Sequence, residues 1–249
     1  MEENRIEIRI FLLGLGGRGS NIVTHIARLI KTKYNHLQLI LCDGDLVEEK
    51  NLNRQIGFFH ENLGQNKAKV LATQINYMYD INCQYIDHYW NNDTFNKINF
   101  NSNDIVITEV DNHATRLLFA QKLENMNFFW IDGANDKESG STFICRRFQY
   151  TRDENLIISR FNYYPSIMNE LGIHPDDRSC ADHVASGEQD YSVNILGAAI
   201  DFSILERYLN GTLLDIYNIS YNTHGISSIQ FIKDFKTNKA ILENSYKRS

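Results

Sequence analysis

Asp43, Asp45, Asn51, Arg54, Gln55 and Lys67 lie within one short stretch after an apolar run, bringing two acids, a guanidinium and an ammonium to one strand end. Fixed cations of this kind stabilise the charge that develops on a departing pyrophosphate, so the set suits cleavage of the α–β bond of ATP. Upstream, Gly14-Leu15-Gly16-Gly17-Arg18-Gly19-Ser20 places glycines between a strand and a helix. There the main chain can approach a phosphate without Cβ atoms in the way, and N–H groups and the helix dipole favour an anion. Downstream, Asp111-Asn112 follows another apolar run, and a carboxylate at that strand end can hold Mg²⁺. Gly14, Gly16 and Gly19 also satisfy the dinucleotide fingerprint, with Asp43 and Asp45 available for a ribose hydroxyl. Taken alone, the loop indicates a nucleotide and no more. A Walker-type loop is excluded because no Gly-Lys-Ser/Thr closes it.

The elements that must position these residues can be read from periodicity. Ile6 to Leu13 ends as the apolar run Ile10-Phe11-Leu12-Leu13, a strand for a sheet buried on both faces. Ile22, Val23, Ile26, Ala27, Leu29 and Ile30 recur at helical spacing, with Ser20 as the expected N-cap, and Leu37 to Cys42 is a second strand. That is a βαβ unit. The alternation continues with a helix from about Gln65 to Tyr79 and strands at Gln84 to His88 and Asp104 to Thr108. A helix from about Ala114 to Glu124 follows, then strands at Phe128 to Ile131 and Gly140 to Tyr150. Helical crossovers imply parallel neighbours, so the expected fold is α/β with a doubly wound, mainly parallel, Rossmann-like sheet. The whole chain, 1–249, reads as a single domain: a nucleotide-binding core over 1–150, a polar crossover segment over 151–187, and a C-terminal helix and strand over 188–249. The helix runs from Val193 to Leu209, ended by Gly211, and the strand from Ser227 to Phe235.

Composition narrows the partners. The 249 residues carry 25 Lys+Arg against 31 Asp+Glu, a net charge of -6, which argues against direct binding to a nucleic-acid backbone. No apolar run of membrane-spanning or signal-peptide length occurs, so a membrane role is not expected. The four cysteines, Cys42, Cys83, Cys145 and Cys180, form no CxxC pair, which fits a reducing, cytoplasmic setting.

The joint spacing of GxGGxGS, the DxDxV strand end, NLNRQ, Lys67 and DN followed four residues later by Arg116 closely resembles the ThiF/MoeB/HesA superfamily, the adenylating core shared with ubiquitin-activating enzymes. Ser179-Cys180-Ala181, Glu188-Gln189-Asp190 and Asn194 resemble the ThiF proteins of the bacterial PRTRC cassette. The resemblance implies an enzyme that uses ATP and Mg²⁺ to adenylate the C-terminal glycine of a small ubiquitin-like, β-grasp or sulfur-carrier protein, and that works as a homodimer. It also implies that Gly14, Gly16, Gly17 and Gly19 cradle the nucleotide and Asp43 binds the ribose, with Asp45 beside it. Asn51, Arg54 and Lys67 would meet the phosphates with Gln55 alongside, and Asp111, next to Asn112, would organise Mg²⁺. The plain structural readings stay open beside it: turn asparagines, surface cations and a helix-capping Asp111. So do two other functions, an NAD-dependent oxidoreductase and a non-catalytic nucleotide-binding scaffold of a mobile-element complex. Arg54, Lys67 and Asp111 argue against the first, because a nicotinamide cofactor has no γ-phosphate to grip.

Many relatives carry paired CxxC motifs around zinc, and this chain has none, so no zinc site is expected. Some relatives complete the ATP site with a partner-chain arginine from an N-terminal extension. Arg5 and Arg9 stand too close to the glycine loop for that, whereas Arg18 either replaces the charge locally or faces solvent. Cys180 lies where thioester-forming relatives keep a nucleophile, and the alternatives are that nucleophile or an incidental loop thiol. Cys42, Cys83 and Cys145 fall in expected strands and read as inert core residues.

Overall fold

The computed structural model describes residues 8–149, 155–170, 191–213, 216–223 and 228–232. Its centre is β1 (Arg9–Leu13), where every second side chain goes to the same face. Ile10 and Leu12 join an aliphatic core with Ile22, Ile26, Leu71 and Ile75, while Phe11 and Leu13 join an aromatic core with Trp90, Phe95, Phe119 and Trp130 on the other face. Burial on both sides is why the strand reads as a continuous apolar run. Each such side chain, taken from water, contributes about 1.5 to 3 kcal/mol.

β1 pairs in parallel with β2 (Gln38–Cys42) on one side and β4 (Ile105–Thr108) on the other. Beyond them lie β3 (Gln84–Ile86) and β5 (Phe129–Asn135), also parallel. The chain thus winds outward through β2 and β3, then crosses back over β1 to β4 and β5. This switch point, between the carboxyl ends of β1 and β4, is where such sheets open a ligand crevice. Helices α1 (Gly17–Lys33), α3 (Lys67–Tyr79) and α7 (Tyr191–Leu209) pack with one another or the sheet through the aliphatic core. α5 (His113–Asn125) covers the aromatic face through Phe119 and Leu123. Short helices α2 (Glu49–Leu52), α4 (Asn92–Lys97) and α6 (Arg160–Tyr163) lie in connections.

The expected α/β, doubly wound sheet is present, and it is extended rather than closed by its parallel part. β6 (Ser139–Gln149) runs antiparallel to β5, and β7 (Asn155–Ile158), β8 (Asn218–Asn222) and β9 (Ser228–Ile232) continue antiparallel, giving nine strands among the described residues. Several expectations need correction. α1 begins at Gly17 with Gly16 as its N-cap, so Ser20 lies inside the first turn, where its Oγ accepts the Ile56 N–H at 3.2 Å. The strand expected to end at Ile131 continues to Asn135, because Asp132 and the residues after it pair with β6 and the sheet hides their polar groups. The strand expected to reach His88 stops at Ile86. Within the segment read as irregular, the described residues form β7, α6 and a 3₁₀ turn (Pro165–Glu170), and β8 was not anticipated. Among the described residues no helix is long and apolar enough to cross a membrane.

Candidate functional site

Gly14 leaves β1 at the switch point. Its φ of +82° favours glycine, and an added Cβ would sit 2.6 Å from the Glu109 carbonyl oxygen at the end of β4. A Cβ on Gly19 would run into the Gly14 carbonyl itself. The loop is therefore folded tightly between β1, β4 and α1, and Gly16, which has no side chain to cap α1, leaves first-turn N–H groups at the crevice. Gln55 closes one side of this loop, its Nε2 3.9 Å from where a Gly16 Cβ would stand.

Asp43 follows β2 and is buried, accepting the Leu15 N–H at 2.6 Å and the Asp45 N–H at 2.9 Å. Burial pushes its carboxyl up to about 6, with Lys67 pulling down and Asp45 pushing up. Asp45 is half exposed. Burial works to raise it too, but Lys67 Nζ, 2.9 Å from its Oδ2, and the Tyr89 hydroxyl hold it below the usual range. Lys67 is buried at the first turn of α3, whose start is fixed by the Lys67 N–H donating to the Asp45 carbonyl at 3.0 Å. Tyr89, which sequence reading missed, lies across Gly44, and its phenol is pushed up first by burial and then by Asp45, Asp43 and Asp111. Its hydroxyl donates to Asp45, and the charges of Asp43 and Asp111 act on the same phenol. No periodicity marks Tyr89, which stands in a connection after β3.

Arg54 and Gln55 leave α2 and lie against the first turn of α1 through the Ile56 to Ser20 hydrogen bond. The Arg54 Nε and the Gln55 Oε1 are buried, and neither has a hydrogen-bond partner among the described residues. Asn51 has a settled local duty: its Oδ1 accepts the Glu48 N–H at 2.8 Å in the capping box of α2. Asn112 likewise caps α5, accepting the Thr115 N–H at 2.8 Å. Asp111 is exposed beside this cap. Its loop is held by Arg116, whose Nη2 donates to the Val110 carbonyl at 2.5 Å and to the Gly133 carbonyl at 2.7 Å.

Arg116 belongs to a buried ionic group that the sequence did not disclose. Its Nε and that of Arg160 each lie 2.8 Å from an oxygen of Asp132, which is fully buried. Burial would raise Asp132, but Arg160 and Arg116 hold it low. Arg18 corrects both alternatives given for it. It neither faces solvent nor replaces a phosphate-binding charge, because its guanidinium is buried and paired with Asp201 and with Glu109, 2.9 Å away. Burial pushes Glu109 well above the carboxylate range, against the pull of Arg18 and with that of Asp201.

Cys42, Cys83 and Cys145 are buried, and burial pushes the Cys83 thiol up to about 12. Cys180 lies outside the described residues, as do Glu188, Gln189 and Asp190. Among the described residues no three His, Cys, Asp or Glu side chains are grouped to hold a metal ion, so Asp111 could hold one only as part of a shell completed by a ligand.

Comparison with known proteins places this geometry. Residues 4–155 match the ThiF family. Over 72 residues the chain is 35% identical to the ubiquitin-activating enzyme E1 1 of Triticum aestivum, covering 28% of this chain and 7% of that protein. Over 71 residues it is 35% identical to the NEDD8-activating enzyme E1 catalytic subunit of Saccharomyces cerevisiae, covering 28% of this chain and 22% of that protein. In fold it is similar to E. coli MccB solved with ATP, with a TM-score of 0.61, 16% identity, and coverage of 90% of this chain and 62% of that one. MccB in complex with N-formylated MccA gives a TM-score of 0.64 at 17% identity, covering 90% of this chain and 64% of that one. The chain thus spans under two thirds of each of these relatives.

Proposed function

The chain belongs to the ThiF family, and we propose that it adenylates the C-terminal carboxylate of a small protein with ATP. In this reading the substrate's carboxylate oxygen attacks the α-phosphorus, the α–β P–O bond breaks, and pyrophosphate leaves with the electron pair. The observation that carries the proposal is Arg54: a guanidinium beside the glycine loop whose buried Nε has no partner among the described residues, next to a buried Gln55 whose Oε1 has none among them either. A buried donor is costly to leave unsatisfied unless a ligand meets it. Lys67, paired among the described residues with half-exposed Asp45, supplies a second cation for the departing phosphates.

The remaining residues take roles that their surroundings support. Asp43, buried behind the loop, accepts a ribose hydroxyl. Asp45 holds Lys67, Asn51 offers its amide nitrogen while its oxygen caps α2, and Gln55 flanks the loop. Asp111 would hold Mg²⁺, whose shell the ATP phosphates would share; an exposed carboxylate with a phosphate ligand fits that ion's preference. The ion would neutralise phosphate charge.

The substrate is a β-grasp protein ending in glycine. The wheat and yeast relatives are named as activators of ubiquitin and NEDD8, and MccB was solved with MccA, a comparison that supports a protein or peptide carboxylate. The likeness to the PRTRC group rests on the sequence; Asn194, one of the residues that carry it, lies against Gly17 of the loop. A homodimer in the cytoplasm and acyl transfer to Cys180 complete the proposal: the thiolate attacks the acyl carbon of the adenylate, the C–O bond to the phosphate breaks, and AMP leaves with the electron pair. ATP–pyrophosphate exchange with such a carrier tests it, and binding of NAD without ATP would replace it with a dehydrogenase.

A further inference from the structure

Arg18 is the second residue of α1, inside the glycine loop, yet none of its hydrogen bonds is spent on the loop. Its Nε donates to Asp201 Oδ2 of α7 at 2.7 Å. Nη1 donates to Asn135 Oδ1 at 2.9 Å, to the Ala134 carbonyl at 3.3 Å and to the Tyr221 hydroxyl at 3.0 Å. Nη2 donates to Thr142 Oγ1 at 2.6 Å and again to Asp201, and Thr142 in turn donates to Asp201 Oδ1 at 2.7 Å. One side chain thus binds the loop to β5, β6, β8 and α7. Space for it is made on purpose-shaped backbone: a Cβ on either Gly133 or Gly197 would come within 2.7 Å of the guanidinium. A second contact lies one residue earlier, where a Cβ on Gly17 would stand 2.8 Å from the Asn194 amide, itself fixed by the Asn135 Nδ2 donating to it at 2.9 Å.

Asp201, Tyr221 and Asn194 all lie beyond residue 155, where the family match ends. A loop rich in glycine has much backbone freedom to lose when it closes on a phosphate, and a loop fixed beforehand has less. We infer that helix α7 is a working part of the nucleotide site, and that Arg18 is a positioning residue which locks loop 14–19 against Asp201. With its donors already spent on these partners, Arg18 contacts no phosphate. The inference rests on the proposed ATP site only for the identity of the ligand; the loop's rigidity is independent of it.

The test compares four full-length variants, Asp201→Asn, Arg18→Met, Arg18→Lys and Asp104→Asn, by calorimetry with Mg²⁺·ATP, by hydrogen exchange of peptides covering residues 14–22, and by thermal melting. Asp201→Asn keeps the shape of the partner, and Glu109 can then ionise beside Arg18, so this variant folds even where Arg18→Met does not. Asp104→Asn serves as control, because it breaks the buried Arg9 pair at the opposite end of β4. Asp201→Asn is expected to weaken ATP binding about tenfold and to speed exchange in the loop. Arg18→Lys should not restore affinity, since an ammonium lacks the fork. Asp104→Asn should lower melting with no change in affinity or loop exchange. Wild-type affinity, or wild-type loop exchange, in folded Asp201→Asn would overturn the inference. A wild-type chain that binds no ATP would refute the adenylation reading instead, and the exchange rates alone would then decide this one.

Discussion

Lys67 Nζ rests 2.9 Å from Asp45 Oδ2, while Arg54, the other candidate cation, has no such acid among the described residues. The two cations therefore differ in what their removal costs. Arg54→Ala should leave thermal stability nearly unchanged and cut pyrophosphate exchange by a few hundredfold, about 3 to 4 kcal/mol of transition-state stabilisation. A melt and an exchange assay on the same preparation check both halves.

Lys67→Met should also suppress exchange, but with a small stability loss, under about 1 kcal/mol, because its acid partner is half exposed and screened. Urea unfolding measures that loss. A cost of several kcal/mol would show that Lys67 serves the fold first.

Asp43 gives a pH signature. Its folded carboxyl sits at about 6, above the ordinary value, so the folded chain binds this proton more tightly than the unfolded chain. Its contribution to stability is thus fully present below the unfolded value and is lost as pH rises through about 6. ATP affinity runs the other way, since the ribose hydroxyl needs the ionised acceptor, and it should fall as pH drops below about 6. Calorimetry across this range on wild type and Asp43→Asn checks the assignment: the difference between the two should vanish at low pH.

Asp132→Ala should destabilise the chain by about 3 to 5 kcal/mol, because two buried guanidinium groups lose their shared acid. The double variant Asp132→Ala/Arg160→Ala should cost less than the sum of the two single losses, because each single change already breaks their shared ion pair. Denaturant curves for the cycle measure the coupling.

The thiols make a further prediction. Cys42, Cys83 and Cys145 are buried, so in Cys180→Ala no thiol should react with an aromatic disulfide reagent until the chain is unfolded. The same variant should keep pyrophosphate exchange while losing any DTT-sensitive adduct with the carrier, seen on a non-reducing gel.

Much of this architecture was legible in residue order. The apolar run Ile10 to Leu13, the helical spacing from Ile22 to Ile30 and the glycine loop placed β1, α1 and their junction, because short-range patterning reports burial directly. Asp43, Asp45 and Asp111 were readable together because they follow the ends of β2 and β4, the two strands that flank β1. What stayed hidden depends on pairing between distant segments. Asp132 looks like a strand terminus until Arg116 and Arg160 neutralise it, and Arg18 looks solvent-ready until Asp201, 183 residues later, meets it. Ser20 was misplaced for a related reason: glycine is a poor sequence marker for a helix start, yet Gly16 takes the N-cap here.

The most direct measurement is exchange of labelled pyrophosphate into ATP by the purified chain, with Mg²⁺ and a β-grasp protein whose last residue is glycine. Label should enter ATP with the wild-type chain, fail to do so when the carrier's terminal carboxylate is blocked as an amide, and fail in both Arg54→Ala and Asp111→Ala that melt like wild type. Label that enters equally well in those two variants, or never enters with the wild type and an unblocked carrier, would contradict the account.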